Sequence, residues 1–178
     1  MITSHSRAVF VIVSLVAAAG CTKSADTPRA STAPLTVGAA APAYGARALA
    51  GDSVNIGGTN ASATLVNVWA TWCTSCREEF AELDRFRTDF PALRVIGVSV
   101  DQGGAEKVRR FVETENGRFP VIHDKDSRIT RLYGVLGLPT TYLIGRDGRV
   151  RWMLTGSFLP VKATLEQAIR AELAVTGG

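Results

Sequence analysis

The 178-residue chain has only three cysteines and two histidines, and that scarcity removes whole classes of function. Three cysteines cannot supply the framework of structural disulfides that staples many small exported domains. With His5 near the start and His123 alone in the body, no four-ligand zinc site can be assembled from Cys and His. Charge of one sign is not concentrated anywhere: the formal net charge of +4 comes from scattered lysines and arginines, which argues against nucleic acid as a partner. No internal repeat is present, and Gly103-Gly104 standing alone makes no phosphate loop. The longest apolar run, Ala8 to Ala19, falls short of the ~20 residues that a bilayer-spanning helix needs.

What is present is a core's worth of apolar residues, 46% of the chain, and a length suited to one domain with accessory segments. The most informative stretch is Leu65 to Phe80, where a Cys-x-x-Cys pair joins an apolar, β-prone run to a charged, helix-prone one. Leu65, Val66, Val68 and Trp69 read as a buried strand, and Cys76, Phe80, Leu83, Phe86 and Phe90 recur at helical spacing behind it. Cys73 and Cys76 are three residues apart, so they share a face of the first helical turn and can close a disulfide with little backbone movement. The unpaired N–H groups and partial positive charge of a helix start favour thiolate over thiol at Cys73. Cys73 is therefore expected to be the nucleophile and Cys76 the resolving thiol.

Three segments are expected. Residues 1–20 combine a basic start, an apolar run and small residues before Cys21, the pattern of an export signal. Ala18-Ala19-Gly20-Cys21 also resembles a bacterial lipobox, which would make Cys21 an acylated N-terminus. Residues 21–37, rich in Ser, Thr, Ala and Pro, read as a lipid-anchored flexible tether. Residues 38–178 then form the folded domain. It opens with a hairpin over Tyr44 to Ile56, one strand near Arg47 to Leu49 and the other through Val54 to Ile56. A strand over Thr64 to Trp69, a helix from Cys73 to about Phe90 and a strand over Leu93 to Val100 make a βαβ unit. A helix over Ala105 to Glu115, an extended piece from Phe119 to His123 and a helix over Ser127 to Tyr133 capped by Asp126 follow. Thr140 to Ile144 and the alternating Val150, Trp152 and Leu154 form a hairpin turned by Asp147-Gly148, and Pro160 to Val175 is an amphipathic final helix.

The wording Val-Asn-Val-Trp-Ala-Thr-Trp-Cys-x-x-Cys with Arg-Glu-Glu-Phe after it, and Leu-Pro-Thr-Thr at Leu138 to Thr141, resembles the TlpA/ResA-like branch of the thioredoxin superfamily. The resemblance runs over roughly residues 38 to 175. One position departs from it: many relatives carry Pro where Ser75 stands, and Ser75 fixes the helix start less firmly. The resemblance implies an α/β, three-layer thioredoxin-like fold, with a mixed central sheet flanked by helices and an N-terminal hairpin extension. It implies a cis bond before Pro139, a position next to a turn and a β-prone run where such a bond also fits. It makes the backbone of Leu138 the docking strand for substrate, Pro139 the shaper of the site and Trp72 a further substrate contact. Asn67 stands where ordinary thioredoxins carry a buried acid, and an amide cannot move that acid's proton. Glu79 matches the acid that TlpA/ResA-like relatives use instead, although Glu78, Glu79 and Glu82 would all suit the first turns of a helix by charge alone.

The function so implied is that of an exported, membrane-anchored protein-disulfide oxidoreductase without cofactor or metal, attached by lipid at Cys21 and facing the periplasm in a two-membrane cell. It would work in the reducing direction on a protein disulfide such as that of apocytochrome c, in cytochrome c maturation, fed by a membrane-borne electron donor. The competing readings are a net oxidant or isomerase and a copper-binding chaperone using both sulfurs as soft ligands. Sco-type copper chaperones favour a longer Cys-x-x-x-Cys spacing with a distant histidine, and the spacing here is shorter.

Overall fold

The computed structural model describes residues 33–175, together with Met1. The expected signal segment, Cys21 and most of the expected tether lie outside the described residues.

The chain alternates strand and helix: β1 (Tyr44–Arg47), β2 (Ser53–Ile56), β3 (Thr64–Trp69), α1 (Thr74–Asp89), β4 (Arg94–Ser99), α2 (Ala105–Thr114), β5 (Val121–His123), α3 (Arg128–Tyr133), β6 (Thr140–Ile144), β7 (Val150–Thr155) and α4 (Lys162–Ala174). A 3-10 turn, Leu159–Val161, leads into α4. Five strands form one sheet in the order β5-β4-β3-β6-β7. β3, β4 and β5 run parallel, β6 runs antiparallel to β3, and β7 antiparallel to β6. β3 is central and fully buried because Thr64–Trp69 has no exposed side chain on either face, as its apolar run requires.

Each face of the sheet has its own core. On one, Leu65, Trp69 and Leu143 meet Phe80, Leu83 and Phe86 of α1, Phe111 of α2, and Leu165 and Ile169 of α4. On the other, Val66, Val68, Ile96 and Tyr142 meet Ile129 and Tyr133 of α3 and Val54 and Ile56 of the hairpin. Burying one such phenylalanine or leucine contributes about 1.5–3 kcal/mol, so α1 is held mainly by its apolar stripe. The result is the three-layer thioredoxin-like arrangement with a separate two-stranded N-terminal sheet.

The hairpin sits earlier than the sequence suggests, with β1 at Tyr44–Arg47 paired to β2 by Tyr44 opposite Ile56. Leu49 belongs instead to the connection, where its N–H donates to Val121 O at 2.7 Å while Ala48 bridges Ile122. The hairpin thereby covers the open edge of β5. The last residues of the span read as tether are packed: Leu35 is buried and its N–H donates to Tyr133 O at 3.2 Å. α2 closes as its sequence indicates. Asn116 adopts φ 54° and Gly117 N–H returns to Val112 O at 2.9 Å, satisfying carbonyls of the last turn.

The cap of α3 corrects the sequence reading. Asp124, not Asp126, receives the free N–H groups, from Arg128 and Ile129 at 2.8 Å each and from Thr130 at 3.4 Å. Ser127 takes a left-handed conformation (φ 53°) between them, which turns the helix start back onto the end of β5, where Asp124 lies. Asp126 stays at the surface, paired with Lys125.

Candidate active site

Both cysteines stand at the junction between the end of β3 and the start of α1. Cys73 is the N-cap of α1 in an extended conformation, and its Sγ accepts the Cys76 N–H at 3.2 Å. A sulfur at this place occupies the position of a capping oxygen, so the helix start directs an N–H at it. The pair is closed as a disulfide, with Cα atoms 5.2 Å apart. The two sulfurs differ in access: Cys73 keeps 8% of its surface exposed and Cys76 none. Ser75, the residue in place of the relatives' proline, brings its hydroxyl to 3.5 Å from Cys73 Sγ.

Trp72 stands out from this corner, 68% exposed although aromatic. It lines one depression of about 290 Å³ with Val100, Thr130, Leu136, Gly137 and Leu138. The expected substrate residues Trp72 and Leu138 are thus brought to one surface. The Leu138–Pro139 bond is cis, Leu138 is half-buried and Pro139 is buried at the start of β6.

Glu79 is a different kind of residue from its neighbours on α1. Glu78 is exposed, and Glu82 is half-buried and pairs with Lys162 and Arg85. Glu79 has no exposed surface. Its Oε1 accepts the Phe158 backbone N–H at 2.7 Å and its Oε2 accepts from Asn67 Nδ2 at 3.0 Å. Burial raises its pKa to about 6, against the lowering effect of hydrogen bonds from Phe158, Ser157 and Asn67. Asn67 Nδ2 also donates to Thr141 Oγ1 at 2.9 Å, linking α1, β3 and β6 through one buried polar chain. Such a carboxyl, at the helix turn after Cys76, can hold or release a proton near neutral pH.

Sequence reasoning missed a second buried carboxylate. Asp101, just past β4, accepts from the Thr71 N–H, from the Thr71 hydroxyl, from Ser99 Oγ and, at its surface edge, from Lys107 Nζ. It thereby clamps the loop that carries Trp72 and Cys73. His123 Nε2 lies 2.9 Å from Asp101 O, which gives this lone histidine a structural place beside the clamp. The Thr141, Ser157 and Phe158 contributions were also invisible, since each meets the site from a distant segment. Among the described residues no group of three His, Cys, Asp or Glu side chains is arranged to hold a metal ion.

Comparison with known proteins agrees with this geometry. Residues 37–153 match the AhpC/TSA family. The thioredoxin-like protein YneN of Bacillus subtilis is 30% identical over 136 residues, covering 74% of this chain and 78% of that protein. The thiol-disulfide oxidoreductase ResA of Geobacillus thermodenitrificans is 29% identical over 148 residues, covering 83% and 84% respectively. Among solved structures, a putative thiol:disulfide interchange protein DsbE from Chlorobium tepidum superimposes with a TM-score of 0.70 at 30% identity, covering 78% of this chain and 99% of that one. A buried acid, a disulfide at a helix start with one sulfur more accessible than the other and a cis proline in one thioredoxin-like fold, with these relatives, lead to one conclusion: the chain belongs to the AhpC/TSA family and is a protein-disulfide oxidoreductase of the ResA/DsbE type.

Proposed function

We propose that the protein is an extracytoplasmic disulfide reductase, anchored at a membrane by lipid on Cys21, in which Cys73 attacks and Cys76 resolves. The observation that carries the division of labour is the difference in access, 8% at Cys73 against none at Cys76. The Cys73 thiolate attacks one sulfur of a substrate disulfide and expels the other as a thiolate, leaving a mixed disulfide. Cys76 then attacks Cys73 Sγ, which releases the second substrate sulfur and closes the Cys73–Cys76 bond. Two electrons pass to the substrate, and a membrane-borne dithiol donor restores the pair.

Cys76 must lose a proton to attack, and it has no surface open to solvent. Glu79 is the acceptor in this reading, since the helix places it roughly 60° around the axis from Cys76 and its pKa near 6 suits the exchange. Substrate lies against Trp72 and along the main chain of Leu138, which both line the depression, next to Pro139. The leader-like residues 1–20 and Cys21 support export and lipidation. Relatives named thiol-disulfide oxidoreductase ResA support disulfide exchange as the chemistry; the reducing direction, with an exported protein disulfide such as that of apocytochrome c as the client, is what the motif's family resemblance implies.

A redox titration of the Cys73–Cys76 pair tests the direction. A midpoint near about −270 mV supports reductase work, and one near about −120 mV replaces it with oxidase work.

A further inference from the structure

Asn67 keeps one polar atom without a partner: its Oδ1 is buried and accepts no hydrogen bond, while both Nδ2 hydrogens are used, toward Glu79 Oε2 and Thr141 Oγ1. That asymmetry suits an ionised Glu79 and conflicts with a protonated one. Oε1 faces the Phe158 backbone N–H at 2.7 Å, a fixed donor that cannot turn round to accept. Ser157 also faces the carboxyl, and with its Oγ accepting the Leu159 N–H at 3.3 Å its hydroxyl hydrogen is left for the ionised Glu79. A proton arriving at Glu79 therefore belongs on Oε2, where it meets the Asn67 N–H head-on. Two donors 3.0 Å apart in a buried site cannot share one acceptor position.

We propose that Asn67 is a positioning residue for Glu79 whose side-chain amide turns over about Cβ–Cγ when Oε2 takes up a proton. In the turned state Oδ1 accepts from Glu79 Oε2–H and from the Thr141 hydroxyl, whose hydrogen is free to rotate into line. Nδ2 then occupies the place where Oδ1 has no partner, so the turn exchanges one unpartnered atom for another. Both orientations fit the same cavity, and the ionisation of Glu79 selects between them. Thr141 is paired in register with Asn67 and lies two residues beyond Pro139, so the amide is in contact with the strand that presents substrate. The groups around the carboxyl are Cys76 and Glu78 on its own helix, Asn67 on β3, Thr141 on β6 and Ser157 and Phe158 before α4. Glu78 is the one charged side chain among them that acts on it, and it does so weakly. The inference rests on the reading of Glu79 as the proton acceptor.

The test is nuclear magnetic resonance of the intact folded protein with Asn67 labelled at its side-chain nitrogen, recorded at about pH 8 and about pH 4.5, on either side of the Glu79 titration. Contacts from the Asn67 N–H pair to Thr141 are expected at the higher pH and lost at the lower one, with a midpoint that follows the Glu79 carboxyl signal. The same amide orientation on both sides of that midpoint overturns the proposal. In Asn67→Ala the ionised and the protonated carboxyl each lose their Asn67 partner, so the Glu79 midpoint should move by well under one unit. A rise of about one unit or more, a roughly tenfold gain in proton affinity, marks Asn67 as a fixed donor and overturns the proposal, and the wild-type spectra decide the matter where the variant does not fold. Failure of the Glu79 reading itself shows elsewhere: Glu79→Gln then leaves disulfide exchange unchanged while the amide of the unaltered protein still turns with pH.

Discussion

Asp101 holds Thr71 by two atoms at once, accepting its hydroxyl on Oδ1 at 2.5 Å and its backbone N–H on Oδ2 at 2.8 Å. The residue so fixed lies two positions before Cys73, whose own N–H donates to Ala70 O at 3.1 Å. Burial pushes the Asp101 pKa up, but donors from Thr71, Ser99 and Lys107 outweigh it and hold the group below the usual carboxylate value. A depressed acid contributes stability above its unfolded pKa and loses that contribution as pH falls through the folded value. Asp101→Asn should therefore lower stability at neutral pH by about 2–3 kcal/mol, and the deficit should shrink below about pH 4. Urea unfolding at a series of pH values measures it. A deficit that is constant across the range would mean that the charge of Asp101 is not what the clamp uses.

The unequal access of the two sulfurs leads to a trapping experiment. Cys76→Ser should accumulate a mixed disulfide with a protein substrate through Cys73, and Cys73→Ser should trap little. In the reduced protein, alkylation should reach Cys73 first. Equal trapping by both variants would remove the assignment of attacking and resolving thiols.

The parts that were legible in the sequence are those with a local cause. β3 and β6 were bounded correctly because each is an apolar run ended by a turn residue or proline, and no tertiary partner is needed to see it. The cysteine pair was legible for the same reason, since three residues of helix bring both onto one face. The cap of α3 was misread because Asp124 reaches its N–H groups past a left-handed Ser127, a bend that spacing does not encode. Asp101 left no trace because its main partner, Thr71, lies 30 positions earlier in the chain. Glu79 could be named from resemblance, but what separates it from Glu78 and Glu82 is a backbone N–H 79 positions away.

The proposal of membrane attachment rests on Cys21 following Ala18-Ala19-Gly20. Labelled fatty acid should enter the protein when it is made in a bacterial host, and the protein should fractionate with membranes. A single acyl chain binds reversibly, so stable attachment calls for more than one chain, as full lipoprotein acylation supplies. Cys21→Ser should abolish both the label and the membrane fraction. If label and fractionation survive that substitution, the lipid reading is wrong.

Glu79 offers the sharpest separation between a working acid and one placed only to complement a helix dipole. Burial raises its pKa from 4.5 to about 6 in the folded protein. For an acid raised in this way the neutral form is the one favoured by folding. Its contribution is whole below the unfolded pKa, near 4.5, and is lost as pH rises through about 6. The loss amounts to about 2 kcal/mol for a shift of this size. Glu79→Gln stays neutral, so between about pH 4 and pH 8 its stability should fall less than that of the unaltered protein by about that amount. Glu78→Gln and Glu82→Gln, at exposed and half-exposed positions, should track the unaltered protein. The same three variants, assayed for disulfide exchange, should differ in the same order. Glu79→Gln alone should slow the resolving step and flatten its pH dependence near 6, because no nearby group then takes the Cys76 proton. Should all three variants keep the unaltered stability profile and exchange rates, Glu79 is a buried structural acid and the proton of Cys76 leaves by another route.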